Sequence, residues 1–150
     1  MLWLPVVMGV GTFAVDRLSK HFIAASMRLG QSIPVIENIF HITFKTNDGA
    51  AFSILSGKVP FLIITTLLII GALVAFIIVK KPKSKIFGIA VSLIISGALG
   101  NLVDRVALGH VVDFLDARFI NFPIFNVADI CVVIGAALFC IYVFRSTDFE

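Results

Sequence analysis

Asp113 and Asp129 are the side chains of this 150-residue sequence best suited to chemistry. Asp129 is the only charge in an apolar run from Ile124 to Phe144. An ionisable group deep in lipid costs about 2.5 to 3.5 kcal/mol on insertion scales, so a carboxylate kept in such a run needs an offsetting role. Asp113 lies in VVDFLD, residues 111–116, on the connection that leads into that run. If the two face each other, like charge and partial desolvation prevent both from ionising together, and the pair shares one proton near neutral pH. One is then a base able to take a proton from a water attacking a peptide carbonyl, while the other donates a hydrogen bond to the developing oxyanion. Asn101, Arg105 and Asn126 are candidate fixed donors around them. Other chemistries lack their residues. His21, His41 and His110 do not have zinc-ligand spacing. There is no G-x-S-x-G nucleophile setting, P-loop or dinucleotide fingerprint, so no metal or cofactor is expected.

The elements that must position these acids are membrane helices. Hydrophobic residues make up 59% of the chain and the mean hydropathy is +1.09, whereas soluble domains are about 45 to 50% apolar. Four stretches approach the length of about 20 residues needed to cross the hydrocarbon core: 2–25, 59–79, 86–105 and 124–144. A cleavable leader is a weaker reading of the first, which has no Lys or Arg before its apolar core and carries Asp16, Arg17 and Lys20 towards its end. Lys80, Lys81, Lys83 and Lys85 give the second connection only positive charge, which places it in the cytoplasm together with both termini. That clustering makes the net charge of +3 a topology signal, and no nucleic-acid partner is expected. In FHITFK, residues 40–45, apolar and polar residues alternate as in a strand with one greasy and one wet face; VVDFLD sets Val112 and Phe114 opposite Asp113. The predicted architecture is a single membrane α-helical domain over 1–150, with four transmembrane helices and a small extracytoplasmic β-sheet. Cys131 and Cys140, nine residues apart on one helix, face opposite ways and read as apolar fillers.

With this topology the unusual polar residues gather at the outer membrane face. Asp16 and Lys20 are four apart, as are Asn101 and Arg105, and Asn126 and Asp129 are three apart, so each pair shares a helix face. Ser96, Gly97 and Gly100 allow a neighbouring helix close beside Asn101. Simpler roles are open: Lys20 and Asp104, taken alone, read as interfacial charges snorkelling to water, Asn101 as helix-packing glue, and Asn126 as a local cap. Two other functions compete. A proton-linked transporter would place polar groups at several depths, yet 59–79 offers only Thr65 and Thr66, and 86–98 only Ser92 and Ser96. A non-catalytic assembly subunit would use the two aspartates for packing.

Four blocks in order carry a resemblance: D-x-x-x-K from Asp16 to Lys20, N-D-G-A-A-F from Asn47 to Phe52, G-N-L-V-D-R with V-V-D-F between Gly100 and Phe114, and F-P-I-F-N-V-A-D from Phe122 to Asp129. Together they resemble the lipoprotein signal peptidases (signal peptidase II) over nearly the whole chain. The resemblance implies an aspartyl endopeptidase of the bacterial cytoplasmic membrane, multi-pass, with its active site at the extracytoplasmic face. Its substrates are diacylglyceryl-modified prolipoproteins, cut just before the lipidated cysteine; its other partner is membrane lipid, and it is expected to work as a monomer. It assigns Asp113 and Asp129 as the catalytic pair, and Asp16, Lys20, Asn47, Gly49, Asn101, Arg105 and Asn126 as residues that bind substrate or shape the site. One position departs from the pattern, Ile130, where the family often has Ser or Thr. A short extended stretch of substrate is expected to enter along the edge offered by residues 47–54.

Overall fold

Helix boundaries follow local chemistry. The computed structural model describes residues 3–120 and 122–145. Helix α1 runs Trp3–Ser26, α2 Val59–Lys80, α3 Lys85–Leu108 and α4 Val127–Arg145. Pro60 sits in the first turn of α2, where its missing N–H costs nothing. Lys81 ends that helix in the left-handed conformation and Pro82 follows it. The Ser84 hydroxyl accepts from the Phe87 N–H to start α3, and Gly109, at φ 75°, closes it. Three of the helices, α2, α3 and α4, are long and apolar enough to cross a membrane. Helix α1 matches them in length but carries Asp16, Arg17 and Lys20.

Packing is uneven. Helix α3 is the centre, with α1 and α4 against it and α2 on its flank. Within the apolar window of α3, 44% of residues are buried, against 6% in α2. Glycines set the α3–α4 seam. A Cβ on Gly97 would collide with the Ala128 carbonyl, and one on Gly135 would meet the Ala90 carbonyl oxygen at 2.8 Å. On the α1 side a Cβ on Gly100 would strike the Asp16 carboxylate. Such close backbone approach substitutes for a hydrophobic driving force that lipid cannot supply between helices.

A three-stranded antiparallel sheet covers one end of the bundle: β1 Ser32–Ile36, β2 Phe40–Asn47 and β3 Val111–Ala117, in the order β1-β2-β3. Val112 and Phe114 of β3, with partly buried Ile42 and Phe44 of β2, pack on Ile23 and Met27 of α1. The other face of β2 is not wet as alternation predicts. His41 and Thr43 are buried in a polar cluster in which the Thr43 hydroxyl donates to Asp116 at 2.7 Å and Arg118 donates to both Asp116 and Ser32 at 3.0 Å. Between Ile42 and Lys45 the β2–β3 register shifts by a bulge, after which Lys45 stands opposite Asp113. Helix α4 starts at Val127, three residues later than the apolar run, because Phe125 pairs with Leu115 of β3.

Candidate active site

Asn126 is the hinge of the site. Its backbone precedes α4, its side-chain oxygen accepts from the Asp129 N–H at 3.0 Å, and its own N–H donates to Asp129 Oδ2 at 3.1 Å. This reciprocal capping box places Asp129 in the first turn, where the helix dipole favours negative charge. The remaining donor atom, Asn126 Nδ2, reaches Asp113 Oδ1 at 2.7 Å and Asn101 Oδ1 at 3.2 Å. One buried asparagine is therefore both the local cap and the bridge between the two aspartates.

Asp113 projects from β3 on the face opposite Val112 and Phe114. It is 3% exposed, and its Oδ2 accepts from Asn47 Nδ2 at 3.1 Å. Burial, followed by the charge of Asp129, pushes its pKa up to about 7, although the hydrogen bonds from Asn126 and Asn47 pull the other way. Asp129 is only partly buried, and its Oδ1 accepts from Asn101 Nδ2 at 2.8 Å. The two carboxylates thus stand in different surroundings within one field, as a division into acid and base requires.

The flanking residues form two further layers. Arg105 donates to the Gly49 carbonyl at 2.8 Å, tying α3 to the loop after β2, and its charge lies within reach of Asp129, Asp113 and Asp104. Its Nε is buried without a protein partner. The Gly49 N–H donates to Asn47 Oδ1 at 2.9 Å, and a Cβ on Gly49 would meet the Ile54 carbonyl oxygen at 2.8 Å, so the loop closes only with glycine there. Lys20, from α1, reaches Asp16 Oδ2 and Asp104 Oδ2 at 3.0 Å and Asn101 Oδ1 at 2.9 Å. Asp16 Oδ1 accepts the Ala128 N–H at 2.9 Å, anchoring the start of α4. All nine residues singled out in the sequence are brought to the sheet-covered end, Asp16 and Lys20 as a support one layer away from the two aspartates.

Two expectations are corrected. Lys20 and Asp104 do not snorkel: they are 1% and 0% exposed, because Lys20 is surrounded by two carboxylates and Asp104 is further paired with Arg17 and accepts the Val112 N–H at 3.3 Å. Residues 48–54 offer no extended edge. A turn at Ala51–Ser53 folds the segment back, with Ala50 N–H donating to Ile54 O at 2.7 Å and Phe52, Ser53 and Leu55 at positive φ. Arg17 and Asp104 are supporting residues that the motif reading left aside. The available signal was that Asp104 lies three residues after Asn101, on the same helix face.

Among the described residues no group of His, Cys, Asp and Glu is arranged to hold a metal ion. The two carboxylates, linked through Asn126, stand at the sheet-covered end of a helical bundle. Two solved structures described as bacterial membrane enzymes share this architecture. One has a TM-score of 0.91 and 40% identity and covers 98% of this chain and 91% of that one; the other has a TM-score of 0.87 and 40% identity and covers 96% and 94%. The fold is that of a membrane enzyme. The family model for signal peptidase (SPase) II matches residues 8–145. A lipoprotein signal peptidase of Clostridium acetobutylicum is 43% identical over 146 residues, 95% of this chain and 94% of the relative. One from Staphylococcus aureus (strain MRSA252) is 41% identical over 145 residues, 95% and 89%. The chain belongs to the signal peptidase II family and is a peptidase.

Proposed function

We propose that this protein is an aspartic-type lipoprotein signal peptidase that cuts diacylglyceryl-modified precursors just before the lipidated cysteine. The observation that supports it most is the shared Asn126: its side chain holds Asp113 and its backbone holds Asp129. Asp113, with its pKa raised to about 7, keeps the shared proton. Asp129 takes a proton from a water as the water oxygen bonds to the scissile carbonyl carbon, while the Asp113 hydroxyl donates to the developing oxyanion. The tetrahedral intermediate collapses as the C–N bond breaks. The proton held by Asp129 passes to the leaving nitrogen, giving a signal peptide with a new carboxylate and a lipoprotein with a free amino terminus. Arg105 and Asn101 supply positive charge and a fixed donor beside the reacting groups.

In this reading the whole chain is one domain in the cytoplasmic membrane, active as a monomer, with both termini and the lysines between α2 and α3 in the cytoplasm and the sheet outside. Helix α1 is the fourth span: its charges Asp16 and Lys20 are neutralised inside the bundle, and Val6, Val7, Val10, Val15, Leu18 and Phe22 face outward. The substrate suits a site at the lipid boundary, since the signal helix and the acyl chains both stay in lipid and only a short segment reaches the aspartates. The test is cleavage of a lipidated precursor in detergent beside an unlipidated control. Equal cleavage of both, or turnover by Asp129→Asn, would overturn the reading.

A further inference from the structure

The end of the bundle remote from the aspartates carries a feature the peptidase reaction does not use. Between the end of α2, the connection to α3 and the last turns of α4 lies a cleft of about 390 Å³ lined by Phe76, Lys80, Lys81, Lys83, Ser84 and Tyr142. That volume falls in the range of about 300 to 1,000 Å³ in which small ligands are held. Two of its lining residues are aromatic and are backed by buried Phe87, whose tilted ring lies 5.6 Å from Phe76 and 5.1 Å from Tyr142, centroid to centroid. Its rim is cationic, and no described acid offsets it. Asp16, Glu37, Asp48, Asp104, Asp113, Asp116 and Asp129 all belong to other parts of the chain, and none of the rim lysines is in an ion pair among the described residues. The first turn of α3 opens beside the rim, with Ser84 capping the Phe87 N–H. The walls continue as apolar helix surface, because α2 and α4 both lean on α3 and Ile78 and Val79 of α2 stay exposed.

We propose that this cleft binds the phosphate headgroup of an anionic phospholipid, with its acyl chains lying along the exposed flank of α2. A basic pocket with no ion pair among the described residues, a helix N-terminus and an apolar groove meet where helices leave the bilayer, and this combination fits a phosphodiester carried on hydrocarbon better than a free anion. The inference requires only that the helices lie in a membrane, and it holds whichever face this end occupies.

The test uses the full chain in detergent micelles and native mass spectrometry, comparing dioleoylphosphatidylglycerol with dioleoylphosphatidylcholine. Retention of the phosphatidylglycerol is expected to exceed that of the phosphatidylcholine several-fold. Lys81→Gln/Lys83→Gln, which keeps Lys80 and Lys85 as topology signals, is expected to lower it by roughly tenfold. Lys81→Arg/Lys83→Arg should retain it, and both variants should cleave a lipidated precursor as the unsubstituted protein does. Equal retention of the two lipids, or full retention by the glutamine variant, overturns the proposal. So does displacement of the lipid by equimolar inorganic phosphate, which would make this a free-anion site. Because cleavage is read separately, failure here is distinct from failure of the peptidase reading.

Discussion

Asp113 and Asp129 are the same residue type made unlike by position. Asp129 gains a helix N-terminus, a capping box and partial access to solvent, while Asp113 is enclosed in β3 beside it. Replacing either by Asn removes the proton exchange and leaves the shape, so each variant should insert and purify normally while kcat falls by at least about 1,000-fold. Single-turnover cleavage by the two proteins checks this. The pH dependence follows from Asp113. Its raised pKa means that below about pH 7 it holds its proton, and above that it is charged and can no longer donate to the oxyanion of the proposed reaction. Activity should therefore decline on the alkaline side with an apparent pKa near 7, read from kcat/KM against pH. Stability has the matching sign. A carboxyl that titrates near 3.8 in the unfolded chain and about 7 in the native one stabilises most fully below the first value and loses that contribution as pH rises through the second. Asp113→Asn should flatten the fall in thermal midpoint between pH 5 and 8.

Helices α1, α3 and α4 are held to one another by ions and by glycine. Lys20 serves three acceptors from two helices, so Lys20→Met leaves Asp16 and Asp104 as buried charges short of a partner. The cost is about 3 to 5 kcal/mol, to be seen as a large drop in melting temperature in detergent. Loosening of Asn101 should also lower kcat in whatever protein survives. Gly97→Ala and Gly100→Ala should lower the melting temperature by forcing α4 and α1 away from α3. Gly11→Ala and Gly71→Ala, where a Cβ meets nothing, should leave it unchanged or raise it slightly. The helical spacings of these polar residues could be read directly, since i,i+4 and i,i+3 pairs follow from the α-helix itself. Their long-range partners could not: Arg17 and Asp104 are 87 positions apart, and nothing local announces that pair. Strand β1 escaped the reading as well, because SIPVI contains a proline, lacks alternation and is exposed along its length. The turn after Asn47 is equally opaque, with Phe52 and Leu55 in a backbone region that bulky side chains rarely adopt.

At the scale of the molecule the site's polar residues gather at the sheet-covered end and lysines with no ion pair among the described residues at the other, with apolar helix between them. That division was legible early, because composition and the lysine run depend on no tertiary detail. The distribution of stiffness was not, since it depends on which helix sits in the middle. Helices α1, α3 and α4 interlock through backbone contacts and buried charge, while α2 rests on α3 with one buried residue, Leu62. Under the proposed function the signal helix approaches the site through the bilayer, beside α1, α3 and α4 joined by close glycine contacts and buried ion pairs, or beside α2. With Leu62 its one buried residue, α2 is the helix expected to yield. A crosslink fastening α2 to α3 is therefore expected to slow cleavage of long precursors while sparing short soluble peptides, and equal rates for long precursors with and without the crosslink would show that α2 need not yield.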